Sequence, residues 1–287
     1  MELRAVARRD RDRVLALANR ETSWQCGLGS SHADDVHSAF EAGAEQASRL
    51  LESNGAVTGF ARVAPVTSGV GHFSAIASER HGFVTLVDWA CSDVSVPATL
   101  RTSVASADVK GVLDLHGFTP YLVQRTMALA RELAGSPALP APCRFADFES
   151  RWLAPLLATY VAAWPDEVDV VEAERTFRES DGLVLAVDAE RVAGYVLWER
   201  VDDAIGVIHE VAVHPDCRRR GMGSALTRLA IGRLRPLTSR IELLVVGRNP
   251  ARLMYERLGF EVVDEVEFLT RVASERSVPC AAGSGCA

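Results

Sequence analysis

The segment HEVAVHPDCRRRGMGSAL, residues 209–226, joins a short apolar strand to three adjacent arginines and two glycines. The strand begins near residue 207 and is rich in β-branched residues, and Pro215 ends it because proline lacks the N–H that a sheet needs. After the loop, apolar residues recur at spacings of three and four, as in a helix packed on a sheet. They are Met222, Leu226, Leu229, Ala230 and Leu234. The segment therefore predicts a strand, a loop and a helix in direct succession.

The two glycines, Gly221 and Gly223, fall at the N-terminus of the predicted helix. Several backbone N–H groups lack a helical partner there and the helix dipole is positive, so an anion is favoured. Glycine lets the backbone approach a phosphate without an intervening Cβ, and neighbouring arginines donate charge-assisted hydrogen bonds. The arrangement predicts a pyrophosphate site. A glycine turn with a solvated basic rim is the alternative, and the surrounding sequence has to decide.

Two common phosphate-binding motifs do not fit this segment. A dinucleotide fold needs GxGxxG directly after the strand, whereas seven residues separate Val213 from Gly221 and Leu226 replaces the third glycine. The next predicted strand, IELLVV at residues 241–246, does not end in the acid that would bind a ribose. A Walker loop would need Gly-Lys-Ser or Gly-Lys-Thr, which this segment lacks. Hydride transfer and nucleotide hydrolysis are therefore disfavoured.

A second segment, RIELLVVGRNPARLMYERLGFEVV at residues 240–263, predicts another buried strand followed by another helix. Asn249 is a good helix N-cap, and Pro250 suits the first helical position. The residues on one face of this helix are Ala251, Tyr255 and Leu258. One helix therefore presents a tyrosine beside the ends of the two predicted strands.

The two segments carry the pattern Arg218-x-x-Gly221-x-Gly223 and then Asn249-x-Ala251-x-x-x-Tyr255-x-x-x-Gly259-Phe260. This pair of motifs resembles the GNAT N-acetyltransferase superfamily, closely over residues 207–268 and more loosely back to a proline-rich linker. The resemblance implies an α/β fold (α+β mixed sheet) with two tandem GNAT-like domains, each a mostly antiparallel sheet flanked by helices. It also implies acetyl transfer from acetyl-CoA to an amine, with no metal.

The resemblance further implies where acetyl-CoA binds. The two strands would splay apart, and the pantetheine arm would pair with the backbone of the first strand. The diphosphate would rest on backbone N–H groups at the start of the first helix. The implied cofactor-binding residues are Val211, Ala212, Val213, Arg218, Arg219, Arg220, Gly221, Met222, Gly223, Ser224, Asn249 and Ala251.

Amide formation calls for two proton-transfer groups. A neutral amine attacks the thioester carbonyl, so a base must take a proton and an acid must meet the departing thiolate. A phenol can donate to the sulfur, and the family resemblance assigns this role to Tyr255. The alternative is a core tyrosine on a packed helix face. Tyr255 is therefore the candidate catalytic acid.

Glu210 is the candidate catalytic base. It interrupts an apolar strand, where an unpaired carboxylate is unfavourable to bury, and perturbed carboxylates gather at active sites. Because side chains alternate along a strand, Glu210 lies on the face opposite to that of His209, Val211 and Val213. Either Glu210 or His209 can therefore face the substrate, but not both. We favour Glu210, acting directly or through water, because similar enzymes place a base on this strand. For either side chain, pairing with an arginine or a backbone group is the alternative.

The chain of 287 residues suits two domains of roughly 100 to 200 residues each. A proline-rich stretch predicts a linker at 135–142, between domains at 1–134 and 143–272, and a flexible tail at 273–287. The halves share an outline of strand, helix, hairpin, apolar strand and Gly-Phe corner, which indicates a duplication. In the first half, the apolar strand is predicted at residues 83–90.

The first half is predicted to be a degenerate GNAT-like domain. Ala107 stands where the second half has Asn249, and Leu113 stands where it has Tyr255. A short segment separates its two predicted central strands, which leaves no room for an arginine-glycine turn and a phosphate-facing helix. This half is expected to support the second half and to form one wall of its substrate cleft. Its polar segment at residues 23–46 is either a substrate loop or an ordinary surface loop and helix.

Composition is that of an ordinary globular protein, with 48% hydrophobic and 24% charged residues. The net charge of −7 argues against nucleic-acid binding, which needs clustered Lys and Arg. No apolar run reaches the ~18 residues of a membrane span and the start lacks a secretory signal, so no membrane contact and a cytoplasmic location are expected. The six cysteines lack CxxC or His-linked spacing, which predicts free thiols.

The leading prediction is an acetyl-CoA-dependent N-acetyltransferase whose second domain acts on a small-molecule amine, such as an amino acid derivative, polyamine or antibiotic. A protein N-terminus or lysine is the alternative acceptor. A non-catalytic acyl-CoA sensor is the alternative class, against which Tyr255 and Glu210 argue. The sequence leaves open the acceptor, the acyl length and the choice between monomer and homodimer.

Overall fold

A computed structural model describes residues 1–20, 24–28, 40, 47–67, 69–93, 96–131, 137–165, 169–180 and 182–273. The predicted tail beyond Ala273, the start of the predicted linker and most of the polar segment 23–46 lie outside the described residues. The chain divides into two compact units. Unit 1 comprises Met1–Val123 with the described residues from Val266 onward, and unit 2 is Gln124–Glu265.

The elements follow one another along the chain, and most helices are short. The strands are β1 (Glu2–Ala5), β2 (Trp24–Cys26), β3 (Ser48–Ser53), β4 (Ala56–Thr67), β5 (Val70–Ala77), β6 (Thr99–Val104), β7 (Thr119–Leu129), β8 (Arg144–Asp147), β9 (Leu183–Asp188), β10 (Arg191–Arg200), β11 (Ile205–Val213), β12 (Arg240–Val246) and β13 (Phe260–Val272). The helices are α1 (Arg11–Ala18), α2 (Arg80–Ser92), α3 (Ala107–Leu115), α4 (Leu153–Ala163), α5 (Val170–Glu179), α6 (Met222–Leu234) and α7 (Ala251–Arg257). Within the described ranges, no helix combines the length and apolarity needed to cross a membrane.

The sheet of unit 1 has the strand order β1-β3-β4-β5-β6-β13, and β2 also pairs with β5. The strands pair antiparallel, except that β5 and β6 are parallel. Helices α2 and α3 pack on one face of the sheet, around Phe73, Phe83 and Phe118. Helix α1 packs on the other face, against Leu50 and Phe60. Unit 1 therefore has its own core on both sides of its sheet.

The sheet of unit 2 has the strand order β7-β12-β11-β10-β9-β8. Its strands pair antiparallel, except that β11 and β12 are parallel. Helix α6 packs on one face through Met222, Leu226 and Leu234. Helices α4 and α5 pack on the other face, around Phe177 and Tyr195. Each unit is thus a mixed, mostly antiparallel sheet flanked by helices, which confirms the predicted fold class.

Helix α2 corrects one element of the prediction. Residues 83–90, predicted as an apolar strand, lie inside α2, and β5 is the strand that precedes it. The buried residues of α2 include Phe83, Leu86, Val87 and Ala90, which have helical spacing. An apolar run of this length does not distinguish a buried strand from a buried helix. Unit 1 therefore has a helix between its two parallel strands, and the argument that no room remains for one was wrong.

The compact units differ from the predicted domains at 1–134 and 143–272. Residues 124–129 of β7 belong to unit 2, where they reach β12 and pair with it. Residues 267–272 of β13 belong to unit 1, where they pair with β6. A proline-rich stretch marks a loop, but pairing between strands distant in sequence decides which residues pack together.

Asp10 is a buried carboxylate in unit 1, and two arginines compensate its charge. Arg4 donates two hydrogen bonds to it, at 2.7 and 2.8 Å, and the N–H of Ala7 donates one at 2.9 Å. Arg13 lies 3.3 Å from the same carboxylate. These contacts, led by the hydrogen bonds from Arg4, lower the pKa of Asp10 to about 2 from the usual 3.8.

We expect the contacts of Asp10 to stabilise unit 1 above pH 3.8 and to lose that contribution as the pH falls toward 2. The sign follows because the unfolded chain takes up the proton at a higher pH than the folded chain. A pKa shift of this size corresponds to about 2 kcal/mol. In urea unfolding, the difference in free energy between the parent and Asp10→Asn should shrink across this pH range. A difference that stays constant with pH would contradict the prediction.

Candidate active site

The two parallel strands of unit 2 separate along their length. β11 pairs with β12 from Ile205 to Ile208, opposite Arg240 to Leu243. Beyond these residues, β11 continues to pair with β10, and β12 continues to pair with β7. Within the described chain, the facing edges of residues 209–213 and 244–246 therefore have no strand partner. The result is a slot lined by backbone N–H and C=O groups, as the family resemblance implies.

His209 forms a β-bulge in β11. Leu197 of β10 lies opposite Glu210 and Trp198 lies opposite Ile208, so His209 has no residue opposite it. The extra residue breaks the alternation of the strand, and both His209 and Glu210 lie in the wall of one cavity. The prediction that only one of the two could face the site is therefore wrong, because it assumed a regular strand.

Glu210 is partly buried and is held by two uncharged side chains. Trp164, at the end of α4, donates from Nε1 to Oε1 of Glu210, and the hydroxyl of Tyr195 in β10 donates to the same oxygen. Among the described residues, Oε2 has no hydrogen-bond partner. Burial raises the pKa of Glu210, and the two donated hydrogen bonds oppose this rise. The carboxylate is therefore neither paired with an arginine nor fully engaged, and one oxygen is free to accept a proton.

The loop between β11 and α6 makes two left-handed turns. Arg219 has a φ of 66° and Gly221 has a φ of 85°. Glycine adopts this conformation freely, whereas a side chain such as that of arginine makes it strained. The start of the loop is held by Arg191, whose guanidinium contacts His214 Nδ1 at 2.6 Å and Asp216 at 3.0 Å. The second turn points the chain directly into α6.

Helix α6 begins at Met222 with Gly221 as its N-cap, and no side chain caps it. The N–H of Ala225 donates to the carbonyl of Gly221 at 3.0 Å, which is the first hydrogen bond of the helix. The N–H groups of residues 222–224 therefore have no partner inside the helix, and the helix dipole adds positive potential there. These residues line the same cavity as Glu210. The helix start is suited to an anion, as predicted from the glycines.

The three arginines of the motif have different surroundings. Nε of Arg218 donates to the carbonyl of Val213 at 3.1 Å, and its Nη2 donates to the carbonyl of Ala163 at 3.3 Å. Arg219 lines the cavity, and within the described residues its guanidinium has no hydrogen-bond or ion-pair partner. Arg220 is exposed and is not part of the cavity wall. Of the three, Arg219 is the one that lines the cavity and whose guanidinium has no partner among the described residues.

Helix α7 brings Asn249 and Tyr255 to the cavity. The side chain of Asn249 accepts a hydrogen bond from the N–H of Ala251 at 2.9 Å, the kind of bond predicted for a cap, but the helix begins one residue later than predicted and Pro250 is its N-cap. Tyr255 is buried and packs edge-on against Phe260, with ring centroids 6.0 Å apart. Burial raises the pKa of Tyr255 to about 12, so the phenol keeps its proton at neutral pH. Its hydroxyl has no partner among the described residues and can donate one hydrogen bond.

One cavity of about 770 Å³ in unit 2 gathers these groups. Every predicted site residue except Arg220 lines it, and their binding and catalytic roles stay predictions. Sequence reasoning missed Trp164 and Tyr195. A tyrosine in an apolar strand needs a hydrogen-bond partner once it is buried, so Tyr195 did carry a usable signal. In the part of the chain that the structure describes, no three His, Cys, Asp or Glu side chains are grouped to hold a metal ion.

Unit 1 has a comparable slot, but its own chain fills it. β5 and β6 pair in parallel from Val70 to His72. Beyond these residues β2 pairs with β5, and the N–H of Gly27 donates to the carbonyl of Ser103 in β6 at 2.8 Å. Residues 24–27, called the inserted strand below, thus occupy the space between β5 and β6. A Cβ at Gly27 would lie 2.1 Å from the carbonyl oxygen of Phe73, so glycine is required there.

Comparison with protein families matches residues 150–260 to the acetyltransferase (GNAT) family. A mycothiol acetyltransferase of Actinosynnema mirum is 34% identical over 155 residues, which cover 48% of this chain and 52% of that protein. A mycothiol acetyltransferase of Beutenbergia cavernae is 30% identical over 241 residues, which cover 75% of this chain and 80% of that protein. The chain thus spans about half the length of the first relative and 80% of the second.

Two solved structures have a similar fold. A GCN5-related N-acetyltransferase from Sphaerobacter thermophilus gives a TM-score of 0.71 at 19% identity, and the match covers 94% of this chain and 95% of that one. A tandem GNAT protein from the clavulanic acid biosynthesis pathway gives a TM-score of 0.64 at 17% identity, covering 96% and 99%. At these identities the likeness is one of fold, and it agrees with the fold class predicted from the sequence.

Proposed function

Because the chain belongs to the GNAT family of acetyltransferases, as its two motifs predicted, we propose that it transfers an acetyl group from acetyl-CoA to the primary amine of a small molecule. The reaction would take place in the cavity of unit 2. One observation carries the proposal: an uncapped helix start, an unpaired strand edge, Glu210 and Tyr255 all meet in that cavity.

The residues of the cavity fit acetyl-CoA, the co-substrate of GNAT acetyltransferases. The edge of residues 211–213 has no strand partner and offers backbone groups to the amides of a pantetheine arm, as in strand addition, although the carbonyl of Val213 already accepts a hydrogen bond from Arg218. The N–H groups of residues 222–224 and the guanidinium of Arg219 suit a diphosphate. A Cβ at Gly223 would lie 3.2 Å from Sδ of Met254, so glycine at this position leaves room for the Met254 side chain. When bound, acetyl-CoA supplies the thioester that the amine attacks.

We assign the two proton transfers to Glu210 and Tyr255. As the amine nitrogen bonds to the thioester carbonyl carbon, Oε2 of Glu210 takes the amine proton directly or through a water. Burial raises the pKa of Glu210 and makes it a stronger base than an exposed carboxylate. As the carbon–sulfur bond breaks, the phenol of Tyr255 donates its proton to the sulfur. Glu210 then releases its proton to solvent, and the phenolate of Tyr255 takes up a proton from solvent. The products are an amide and CoA thiol.

The names of the relatives support one choice of acceptor to test first. Both are mycothiol acetyltransferases, so a mycothiol-related amine is the first acceptor to test. Amino acid derivatives, polyamines and antibiotics come next. The assay measures CoA thiol released with this panel, and peptides with a free N-terminus or lysine test the alternative acceptors. Acetyl-CoA binding without turnover of any amine would favour a non-catalytic sensor instead.

Tyr255→Phe should lower kcat by about 100-fold while leaving the Kd of acetyl-CoA unchanged. The substitution keeps the ring and its packing on Phe260 and removes the hydroxyl that would protonate the sulfur. Thiol release and calorimetry measure the two quantities. Tyr121→Phe, at an exposed tyrosine of unit 1, is the matched control and should change neither. If kcat is unaffected by Tyr255→Phe, Tyr255 is a core packing residue.

A further inference from the structure

The peptide unit between Ala163 and Trp164 is fixed on both sides. Its carbonyl accepts a hydrogen bond from Nη2 of Arg218 at 3.3 Å. Its N–H donates to the carbonyl of Tyr160 at 3.0 Å. Because a peptide unit is planar, these two bonds fix the plane that carries the Cα atom of Trp164, from which its side chain extends. Arg218 therefore acts directly on the peptide that orients Trp164.

Helix α4, which ends at this peptide, is itself anchored to the sheet. The buried hydroxyl of Thr159 donates to the carbonyl of Val192 in β10 at 2.6 Å. The ring of Tyr160 packs edge-on against Phe177 of α5, with ring centroids 6.0 Å apart. With the helix held at this point, the orientation of Trp164 depends on its own peptide unit rather than on movement of the helix.

Trp164 and Tyr195 both donate to Oε1 of Glu210, and this selects the oxygen that takes a proton. An oxygen that already accepts two hydrogen bonds holds its negative charge in the more favourable environment. The proton therefore goes to Oε2, which has no partner among the described residues. If Trp164 loses its position, Oε1 loses one donor and this preference weakens.

Arg218 connects this arrangement to the loop that precedes α6. Its guanidinium contacts two carbonyls at once, Val213 at the end of β11 and Ala163 at the end of α4. Arg218 is also the first residue of the segment 218–224, to which we assign the diphosphate. A planar guanidinium presents several donors in a fixed fork, so the two carbonyls are held in one geometry.

We propose that Arg218 is a positioning residue that couples occupancy of the diphosphate site to the hydrogen bond between Trp164 and Glu210. The inference rests on the proposed function. With the diphosphate site filled, the loop holds Arg218, Arg218 holds the peptide of Trp164, and Trp164 holds the candidate base. The candidate base is therefore organised when acetyl-CoA occupies its site.

Arg218→Lys tests this role, because lysine keeps the charge but lacks the planar fork. We expect kcat at saturation to fall by about 10-fold, with a smaller rise in the Kd of acetyl-CoA because coupling within a protein is reciprocal. Arg233→Lys, at an exposed arginine in the last turn of α6, is the matched control and should alter neither quantity. If Arg218→Lys weakens acetyl-CoA binding and kcat at saturation is retained, Arg218 is a direct diphosphate contact and the proposal is overturned.

Trp164→Phe provides the second arm of the test. It should lower kcat and move the acidic limb of the pH profile of kcat/KM to higher pH, because the lost hydrogen bond had lowered the pKa of Glu210. Arg218→Lys should move the limb in the same direction. The double variant should be no slower than Trp164→Phe alone, since both changes break one chain of contacts. The proposal would be overturned if the two substitutions lowered kcat multiplicatively in the double variant, or if the acidic limb of kcat/KM did not move in either single variant.

A fluorescence measurement distinguishes this coupling from the proposed function. The difference in emission between the parent and Trp164→Phe reports the surroundings of Trp164. CoA, added without an amine, should change this emission in the parent but not in Arg218→Lys. If this change appears while no amine is acetylated, the proposed function fails and the coupling stands. If CoA binds and the emission of Trp164 does not respond, the coupling fails, whatever the outcome with amines.

Discussion

Glu210→Gln should lower kcat by about 100-fold to 10,000-fold while leaving the Kd of acetyl-CoA unchanged. Glutamine has the shape of glutamate, and its amide oxygen can still accept hydrogen bonds from Trp164 and Tyr195. It cannot take a proton from the amine, so the loss should fall on the chemical step. CoA thiol release at saturating substrates measures kcat, and calorimetry measures the Kd.

His209→Gln is the matched control, because His209 adjoins Glu210 and lines the same cavity. Its ring forms a 3.1 Å hydrogen bond with Glu199 and is exposed. This variant should lose far less activity than Glu210→Gln. A larger loss in His209→Gln would make His209 the base and would reverse the assignment.

The pH profile provides a second check on Glu210. Burial raises its pKa, so the acidic limb of kcat/KM in the parent should lie above pH 4.5, with activity increasing as the pH rises through it. The limb should be lost in Glu210→Gln and kept in His209→Gln. An acidic limb that persists in Glu210→Gln would assign it to another group.

A fragment of residues 143–272, cut at the predicted linker, should not unfold cooperatively. It lacks residues 124–129 of β7, which reach β12, and with them Met127, which is fully buried in the core of unit 2. Loss of a buried methionine side chain alone removes about 2 to 5 kcal/mol. The fragment also keeps residues 267–272 of β13, whose partner β6 belongs to unit 1. Both defects follow from cutting at the loop instead of at the strands.

The fragment of residues 124–265 is the matched control, because it contains β8 to β12 and the residues of β7 that pair with β12. Circular dichroism during urea unfolding should give a sigmoidal transition for this fragment and a gradual change for residues 143–272. A cooperative transition of the 143–272 fragment would show that β7 is dispensable and that the predicted linker does mark the domain boundary.

The two strand–helix segments of unit 2 were predictable because their signals are local. β-branched residues ending at Pro215 predicted β11, and the apolar spacing from Met222 predicted α6. The cap residue Asn249 predicted α7 in the same way. A helix start that is suited to a phosphate therefore needs no tertiary information to be recognised. The family resemblance supplied the separation of the two strands, which periodicity does not contain.

The partners of Glu210 could not be predicted, because they come from distant parts of the chain. Trp164 is 46 residues away and Tyr195 is 15 residues away. The sequence indicates that a carboxylate in an apolar strand needs donors, but not which side chains supply them. The bulge at His209 has no cue in the sequence either, because a strand pattern assumes regular pairing.

The degenerate character of unit 1 stays a prediction, but its physical basis has changed. The sequence argument relied on a missing helix, and α2 is present. The structure instead has the inserted strand, residues 24–27, between β5 and β6. Its register on β5 joins residues about 50 positions apart, and such pairing is not visible in local periodicity.

We expect the inserted strand to make the stability of unit 1 independent of coenzyme supply. The inserted strand belongs to the same polypeptide, so it pairs with the backbone groups of β5 and β6 at every ligand concentration. No free ligand is needed to form those hydrogen bonds. Unit 2 leaves the equivalent edge open, so a ligand bound there would raise the free energy of unfolding of unit 2, in proportion to the logarithm of ligand concentration above the Kd. If the concentration of acyl-CoA in a cell varied, the melting temperature of unit 2 would vary with it. The melting temperature of unit 1 would stay constant.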